Sequence, residues 1–314
     1  MPVIVYQGKR GAFSELAAQR LFSGAAAEFV GHKEYREMFE ALDGHRADYL
    51  IVPIENTTAG SVYNYYDLLL EFSLRCDIVI VRELKMKIRH NLIGVRGTSI
   101  NSIKEVRSHY IALGQCREYL AGLGVRPIED FDTAGVLETI VRNQLRDVAA
   151  IASAQAARDY NAQILARDIQ DRDENYTRFL LISKAPLEGT LPPTVKCSII
   201  FCIKNQPGSL FKTFGVFGSR DLDIIRIETR PLVGTTTAWR KFTRAGIEGV
   251  WDTMFYMDFR GAPDMCQNAI AHLREISLQV DGDPAVKVLG VYPEGEIVDC
   301  QDRFVHTKSA NAPQ

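Results

Sequence analysis

The chain has 314 residues, enough for two or three compact domains. Its 37 basic and 39 acidic side chains nearly cancel, so no strong field draws it to nucleic acid or to an anionic membrane. No apolar run approaches the ~20 residues of a membrane span, and the N-terminus enters an apolar strand without the features of a signal or transit peptide. The six cysteines form no Cys-x-x-Cys pair. We therefore expect a cytoplasmic, reduced protein with no structural metal and no nucleic-acid or membrane partner.

Short apolar strands alternate with amphipathic helices along the first part of the chain. The predicted strands are Val3–Gln7, Tyr49–Pro53, Asp77–Glu83, Asn91–Val95, Val125–Glu129, Val148–Ala152 and Thr177–Ser183. The predicted helices are Ser14–Leu21, Tyr35–Leu42, Val62–Phe72, Ile103–Val106, Ala112–Leu120, Val136–Asn143 and Ala154–Tyr160. This alternation predicts an α/β fold with largely parallel sheets. The long middle excursion predicts two lobes with a cleft between them.

A segment rich in Pro and Gly, residues 187–194, then breaks the pattern and predicts a linker. After it the predicted elements are Val195–Lys204, Ser209–Phe217, Leu222–Thr229, Trp251–Phe259, Asp264–Leu278 and Val286–Tyr292, in the order strand, helix, strand, strand, helix, strand. That βαββαβ order is typical of the ferredoxin-like unit. The connection Leu232–Val250 predicts a surface loop, and the polar tail 294–314 predicts a frayed end. The predicted domains are therefore residues 1–186 and 195–293.

Four junctions place a short polar residue just before a helix or in its first turn. They are Gly11–Glu15, Thr58–Ser61, Arg107–His109 and Asp132–Gly135. Side-chain oxygens at such positions satisfy free backbone N–H groups, and a helix start attracts anions. Most helices have such caps and bind nothing. Because several of these junctions follow strands, their convergence on one cleft is a second possibility.

Two polar segments adjoin buried strands. Glu55–Asn56 ends one strand, and the segment Asn175–Phe179 opens another. A hydroxyl beside a guanidinium suits a site that grips a carboxylate next to a leaving hydroxyl. The alternatives are a salt-bridged Glu, a turn-forming Asn and a surface Arg. A lone histidine such as His90 is more often structural than catalytic. The sequence has no GxSxG, HExxH, P-loop or GxGxxG motif, so we do not expect serine-hydrolase, zinc-protease or nucleotide chemistry.

Together these stretches resemble the prephenate dehydratases and their close relatives, the arogenate dehydratases, with a C-terminal ACT domain. The resemblance extends from Tyr6 to Pro293, and its matching stretches are Gly11–Glu15, Pro53–Asn56 with Gly60–Val62, Ser108–His109 with Gln115–Cys116, Asp132–Ala134, Ala149–Ser153, Ile169–Asp171, Thr177–Phe179, Gly208–Leu210 and Glu228–Pro231. The resemblance implies a two-lobed, periplasmic-binding-protein-like catalytic domain followed by a ferredoxin-like ACT domain.

The resemblance also implies an activity: conversion of prephenate to phenylpyruvate, CO2 and water, without a cofactor. Conversion of arogenate to phenylalanine is the alternative. The implied catalytic residue is Thr177. The implied substrate-binding residues are Arg178, Phe179, Asn175, Glu55, Asn56, Gly60, Ser61, Ser14, Ser108, His109, Gln115, Thr133 and Ala134. Tyr110 and Ile111 depart from the Pro-Gln that commonly follows Ser-His in the family.

Feedback by L-phenylalanine through the ACT domain is implied as well. The effector residues would be Asn205, Pro207, Gly208, Ser209, Leu210, Glu228, Thr229 and Arg230. Effector pockets of this family form between chains, so we expect a homodimer or homotetramer. A prephenate decarboxylase that keeps the hydroxyl and a non-catalytic amino-acid sensor are the other hypotheses.

The chemistry assigns different tasks to the three residues of the Thr-Arg-Phe motif. A threonine hydroxyl is a poor acid, so we expect Thr177 to stabilise the departing oxygen as a hydrogen-bond donor. Arg178 would orient a carboxylate, and Phe179 would wall the ring and exclude water. On a regular strand Thr177 and Arg178 point to opposite faces. We therefore expect either an irregular lead-in or substrate contact by only one of them, Thr177.

Overall fold

The computed structural model describes residues 1–130, 133–203, 206–231, 253–277, 279–280 and 283–301. The chain divides into two compact units. The first comprises Met1–Tyr63, Leu84–Leu180 and Glu296–Gln314, and the second comprises Asn64–Glu83 and Leu181–Gly295. The predicted linker at residues 187–194 therefore lies inside the second unit, and the second unit also takes in a segment from the first third of the chain.

The elements agree with most of the predicted ones to within a few residues. The strands are β1 Val3–Gln7, β2 Glu28–His32, β3 Tyr49–Asn56, β4 Gly60–Ser61, β5 Val79–Lys87, β6 Asn91–Gly94, β7 Glu105–Ser108, β8 Arg126–Glu129, β9 Val148–Ala152, β10 Gln163–Ala166, β11 Tyr176–Ser183, β12 Val195–Cys202, β13 Asp223–Pro231, β14 Thr253–Gly261, β15 Gln279–Val280, β16 Asp283–Pro284, β17 Val286–Tyr292 and β18 Ile297–Asp299. The helices are α1 Phe13–Leu21, α2 Tyr35–Asp43, α3 Asn64–Arg75, α4 Tyr110–Gln115, α5 Arg117–Leu123, α6 Thr133–Arg142, α7 Ala154–Asp159, α8 Ser209–Gly218 and α9 Pro263–Ile276. None of the helices in these described ranges is long and apolar enough to span a membrane.

The first lobe is built on a sheet with the strand order β18-β5-β11-β3-β1-β2, and β4 pairs with the end of β3. Strand β1 lies parallel to both β2 and β3. Its residues Ile4, Val5 and Tyr6 are buried, as expected of a parallel strand covered on both faces. The predicted frayed tail is wrong for Ile297–Asp299, which pairs with β5. Residues 302–314 lie outside the described residues.

The second lobe is built on a sheet with the order β10-β6-β9-β7-β8. The two sheets confirm the predicted two-lobed α/β architecture. The predicted helix Ile103–Val106 is wrong, because the chain forms β7 there and pairs in parallel with β8 on one side and β9 on the other. Pairing on both edges outweighs a local pattern only four residues long.

The chain crosses between the lobes twice, at residues 88–90 and again at residues 167–175. The two crossings are hydrogen-bonded to each other, from Ile88 N to the Asn175 carbonyl at 2.7 Å and from Ile169 N to the His90 carbonyl at 2.9 Å. The lobes also touch at Gly11, whose φ is +86°. A Cβ on Gly11 would lie 2.6 Å from the Ala156 Cα, so this approach is open only to glycine.

The four-stranded sheet of the second unit has the order β13-β14-β12-β17, with antiparallel neighbours. With α8 and α9 this is the ferredoxin-like βαββαβ arrangement, which confirms the prediction. The core includes Phe201 stacked on Phe255, with ring centroids 5.2 Å apart. The predicted loop Leu232–Val250 lies outside the described residues.

A fully buried ion pair lies within the second unit. Lys196 Nζ on β12 lies 2.8 and 2.9 Å from the two carboxylate oxygens of Glu83 on β5. The two side chains are 2% and 0% exposed. Gly295 N donates to the same carboxylate at 3.0 Å, and a Cβ on Gly290 would collide with the Ile80 carbonyl. Such a pair is tolerated in the interior because each charge has its partner.

Candidate functional site

Six polar side chains meet where the lobe crossings pass each other. We call them the polar cluster: Asn56, Thr58, His90, Gln115, Asn175 and Thr177. Asn56 ends β3, Gln115 ends α4 of the second lobe, and Thr177 lies in β11. His90 and Asn175 belong to the two crossings. The site is thus assembled from both lobes at the point where the chain passes between them.

The side-chain amide of Asn56 has only one possible orientation. Its Oδ1 accepts from the backbone N–H groups of Thr58 and Ala59, each at 2.9 Å, and from Thr58 Oγ1 at 2.7 Å. Backbone N–H groups can only donate, so the oxygen must face them. Asn56 Nδ2 therefore faces the other way, where it donates to Asn175 Oδ1 at 2.8 Å and to Thr177 Oγ1 at 3.0 Å.

This orientation determines what the Thr177 hydroxyl can do. Its oxygen accepts a hydrogen bond from Asn56 Nδ2. Its own hydrogen must then point away from Asn56, because the amide nitrogen is itself a donor and cannot accept. Thr177 is only partly buried. The arrangement therefore holds a hydroxyl donor ready for an acceptor outside the cluster.

Gln115 links the second lobe to this arrangement. Its Nε2 donates to Thr58 Oγ1 at 2.5 Å and to Asn56 Oδ1 at 3.1 Å. Its Oε1 accepts from Asn175 Nδ2 at 3.1 Å and lies 2.7 Å from His90 Nε2. Burial lowers the pKa of His90 to about 4 despite this bond, so the imidazole is neutral near pH 7.

Arg178 lies away from the cluster. Its guanidinium is buried and lies 3.6 Å from a carboxylate oxygen of Glu55. Because neighbours on a strand alternate, Glu55 and Arg178 share one face of the sheet, and Asn56 and Thr177 share the other. The hydroxyl and the guanidinium therefore lie on opposite faces, as strand alternation predicted, and substrate contact by Arg178 stays a prediction. Phe179 is 1% exposed and belongs to the core, so the structure does not support its prediction as a wall of the site.

Two predicted helix starts have a different structure. Gly60–Ser61 pairs antiparallel with Glu55–Asn56 as a short hairpin, and the next helix begins only at Asn64. Ser14 lies in the first turn of α1, and the cap residue Ala12 makes no side-chain bond. Instead, the Glu15 carboxylate accepts from Gly11 N at 2.5 Å. Burial is the main cause that raises the pKa of Glu15.

The remaining predicted residues of this unit lie outside the polar cluster. Ser108 is completely buried, and its hydroxyl donates to the Ile151 carbonyl at 2.8 Å, so the predicted substrate contact by its side chain is not supported. His109 caps α4 by accepting from Ile111 N at 3.4 Å. Thr133 and the buried Ala134 begin α6. The residues just before them lie outside the described ranges.

The predicted effector residues lie in the second unit. Gly208 has a φ of +82° and precedes α8, Leu210 is 40% exposed, and Pro207 and Ser209 flank Gly208. Glu228, Thr229 and Arg230 lie on the edge strand β13. The Arg230 guanidinium holds the Asp67 carboxylate of α3 with two bonds, at 2.6 and 3.3 Å. Asn205 lies outside the described residues.

Two members of the polar cluster were not among the predicted site residues. Thr58 could have been found, because an Asn followed two residues later by a hydroxyl residue is typical of a side-chain-closed turn. His90 has no comparable sequence signal, since its partner Gln115 is 25 residues away and on another lobe. Within the part of the chain that the structure describes, no group of three or more His, Cys, Asp or Glu side chains could hold a metal ion.

Comparison with known proteins identifies relatives along almost the whole chain. The family model described as prephenate dehydratase matches residues 4–187. Arogenate dehydratase 2 of Petunia hybrida is 38% identical over 293 residues, covering 92% of this chain and 71% of the relative. Arogenate dehydratase/prephenate dehydratase 2 of Arabidopsis thaliana, a chloroplastic protein, is 39% identical over 295 residues, with 92% and 72% covered. The bifunctional chorismate mutase/prephenate dehydratase of Aquifex aeolicus is 33% identical over 295 residues, covering 93% of this chain and 73% of the relative.

Solved structures share the fold. A protein described as GqqA, a novel type of quorum quenching acylase, has a TM-score of 0.76 at 28% identity and covers 93% of this chain and 98% of its own. A prephenate dehydratase from Arthrobacter aurescens, crystallised in complex with L-Phe, has a TM-score of 0.78 at 24% identity, with 99% and 93% covered.

Proposed function

The chain belongs to the prephenate dehydratase family of decarboxylating dehydratases, and on that premise we propose that it converts prephenate to phenylpyruvate, CO2 and water. The observation that carries this proposal is the Thr177 hydroxyl, whose oxygen accepts from Asn56 Nδ2 at 3.0 Å and whose hydrogen is left for a ligand. The proposed reaction needs a donor of this kind at the oxygen that leaves the ring.

The proposed reaction removes CO2 and water from the ring. The electron pair of the bond between the ring and the carboxylate moves into the ring, and CO2 departs. The ring electrons shift and expel the hydroxyl oxygen, which gains a proton from the medium and leaves as water. Thr177 stabilises the negative charge that grows on that oxygen, and it remains a hydroxyl throughout. Formation of the aromatic ring drives the reaction.

We propose prephenate rather than arogenate as the substrate, because the six side chains of the polar cluster include no carboxylate that could bind an ammonium. The two substrates differ in one group, a keto oxygen in prephenate and an ammonium in arogenate. Five members of the cluster carry amides and hydroxyls, and the sixth, His90, is neutral because its pKa is lowered to about 4. An ammonium is best bound by a carboxylate, whereas a keto oxygen needs only neutral donors. Parallel measurement of kcat/KM with both substrates tests this preference, and a higher value for arogenate would reverse it.

A pair of variants tests the role of Thr177. Thr177→Val keeps the shape and removes the donor, whereas Thr177→Ser keeps the donor. Loss of one such donor costs about 10²- to 10³-fold in kcat, so we expect that loss with Val and much smaller loss with Ser. Phenylpyruvate is followed by its ultraviolet absorbance in alkali. Equal activity of Val and Ser variants with wild-type stability would refute the assignment, and no turnover by the wild type with either substrate would refute the function.

L-Phenylalanine is the proposed feedback effector, bound by the βαββαβ unit acting as an ACT domain. Support comes from the exposed turn at Gly208, the partly exposed Leu210 and the position of Arg230 on an edge strand. Leu210→Arg is expected to weaken the response to phenylalanine without changing kcat, and Lys212→Ala on the same helix is the matched control. Unchanged inhibition of Leu210→Arg would place the effector elsewhere.

The proposed enzyme is a homodimer or homotetramer. Among the residues that the structure describes, strand β13 is an edge of its sheet, and it carries Ile225 and Ile227, each 40% exposed. An apolar edge strand of this kind favours pairing with a second copy. Sedimentation at micromolar concentration is expected to show an oligomer that Ile227→Lys dissociates. A wild-type monomer would contradict this.

A further inference from the structure

His90 is buried at the first lobe crossing, and one of its two ring nitrogens is hydrogen-bonded. The residue is 3% exposed, and its Nε2 lies 2.7 Å from Gln115 Oε1. The Phe13 ring meets the imidazole edge-on, with centroids 5.5 Å apart. His90 Nδ1 is buried without a hydrogen-bond partner in the described residues. The main chain of His90 is held as well, because its N–H donates to Gln170 Oε1 at 2.9 Å.

The bond between His90 and Gln115 has a determined direction. Asn56 Oδ1 is an acceptor, since the backbone N–H groups of Thr58 and Ala59 donate to it. Gln115 must therefore turn its Nε2 towards Asn56 and its Oε1 towards His90. An oxygen can only accept, so the hydrogen of the neutral imidazole must be on Nε2. The backbone of one lobe thus selects the tautomer of a histidine at the crossing.

We propose that His90, through its Nε2–H group, is a positioning residue for the dehydration, because it holds the Gln115 amide in the orientation that closes the polar cluster across the two lobes. The proposal rests on the proposed function, and it assigns His90 no contact with substrate. Without this donor, Gln115 Oε1 keeps only Asn175 Nδ2 as a partner among the bonds described above. Gln115 Nε2 keeps its bonds to Thr58 and Asn56, but Oε1 loses the donor that faces it from the lobe crossing, so the amide is held less firmly.

The bare Nδ1 supports a positioning role over a purely structural one. If His90 served only packing, its replacement by an apolar ring would stabilise the protein, because the unpaired buried acceptor Nδ1 costs free energy. A buried imidazole with one unused nitrogen is explained if the other nitrogen has a task that an apolar ring cannot perform. That task is donation to Gln115.

Three variants of His90 separate the donor from the ring. Gln places an amide N–H close to the position of Nε2, Asn carries the same amide one methylene shorter and cannot reach Gln115, and Phe keeps a ring without a donor. We expect His90→Phe and His90→Asn to lower kcat by about 10- to 100-fold with little change in KM, since loss of positioning acts on turnover. His90→Gln is expected to recover kcat to within about fivefold of wild type, the scale of one altered hydrogen bond. Phe13→Leu removes the ring contact and leaves the hydrogen bonds, and is expected to keep wild-type kcat.

Three results would overturn the proposal. The first is a folded His90→Phe enzyme with wild-type kcat, and the second is a folded His90→Gln enzyme as slow as His90→Phe. The third is read from the wild-type protein by the nitrogen-15 shifts of the imidazole at pH 7, where a hydrogen on Nδ1 or on both nitrogens contradicts the Nε2–H tautomer. That measurement needs neither turnover nor a variant that folds. It therefore tests the direction of the bond from His90 to Gln115 even if neither substrate reacts. A lack of reaction would count against the proposed function alone.

Discussion

Replacing Asn56 by Asp is expected to slow the reaction strongly while changing the shape of the site very little. The Oδ1 position would keep its donors from Thr58, Ala59 and Gln115, which suit a carboxylate better than an amide. The second oxygen would stand where Nδ2 now donates to Thr177 Oγ1 at 3.0 Å. The Thr177 hydroxyl would then turn its hydrogen towards the introduced carboxylate rather than towards the substrate.

The expected fall in kcat follows from the loss of the Thr177 hydroxyl as a donor to the substrate. Asn56→Asp withdraws the Thr177 donor, so kcat is expected to fall by about 10²- to 10³-fold, the range for removal of one donor at a developing oxyanion. The free energy of unfolding is expected to change much less than the barrier, because the bonds to Oδ1 remain. The main structural cost is at Asn175, whose Oδ1 loses the bond from Asn56 Nδ2 at 2.8 Å and faces a carboxylate oxygen instead.

A double-mutant cycle tests whether Asn56 acts through Thr177. If Asn56 acts only through Thr177, then Asn56→Asp combined with Thr177→Val is expected to be no slower than Thr177→Val alone. Independent roles would multiply to about 10⁴- to 10⁶-fold. The assay is kcat with prephenate, with denaturation curves of all three variants as the control. Multiplicative losses, or full activity of Asn56→Asp, would show that the orientation argument is wrong.

Three further predictions concern pH, the buried ion pair and feedback. Folding lowers the pKa of His90 from 6.5 to about 4, so the stability that the neutral imidazole contributes is fully present above pH 6.5 and is lost as the pH falls through about 4. Urea unfolding at a series of pH values should show about 3 kcal/mol of extra acid destabilisation in wild type relative to His90→Gln. Parallel plots of unfolding free energy against pH for the two proteins would contradict this. Lys196→Met leaves the Glu83 carboxylate buried and unpaired and is expected to cost about 3–5 kcal/mol of unfolding free energy; adding Glu83→Gln should restore most of it, and a double variant as unstable as the single would count against the pair. Asp67→Asn removes the charged partner of Arg230 and is expected to shift the half-inhibitory phenylalanine concentration by about 5- to 150-fold with unchanged kcat in its absence, the range of typical coupling energies; an unshifted inhibition curve would exclude this contact from feedback.

Strands with continuous apolar runs could be predicted to the residue. Val3–Gln7 and Val148–Ala152 have the predicted bounds, because central strands need apolar residues on both faces. The missed strands Glu28–His32 and Gln163–Ala166 lie at the edges of their sheets. An edge strand is half exposed, so its apolar signal is weak, and its pairing depends on partners distant in sequence.

The candidate site was predictable in its residue types and less so in its geometry. Asn56, Gln115, Asn175 and Thr177 were predicted, and the structure brings all four together. The separation of Thr177 from Arg178 followed from strand alternation. The role of His90 could not be predicted, because it depends on which end of a distant amide faces the imidazole.

The buried contact between Lys196 and Glu83 has a consequence for how this protein can be divided. A chain that ends after residue 186 would leave the Glu83 carboxylate without its Lys196 partner. It would also expose Ile80, whose carbonyl packs against Gly290. The second unit therefore cannot be separated intact by a cut at residue 186. A fusion protein that uses the second unit must therefore include residues 64–83.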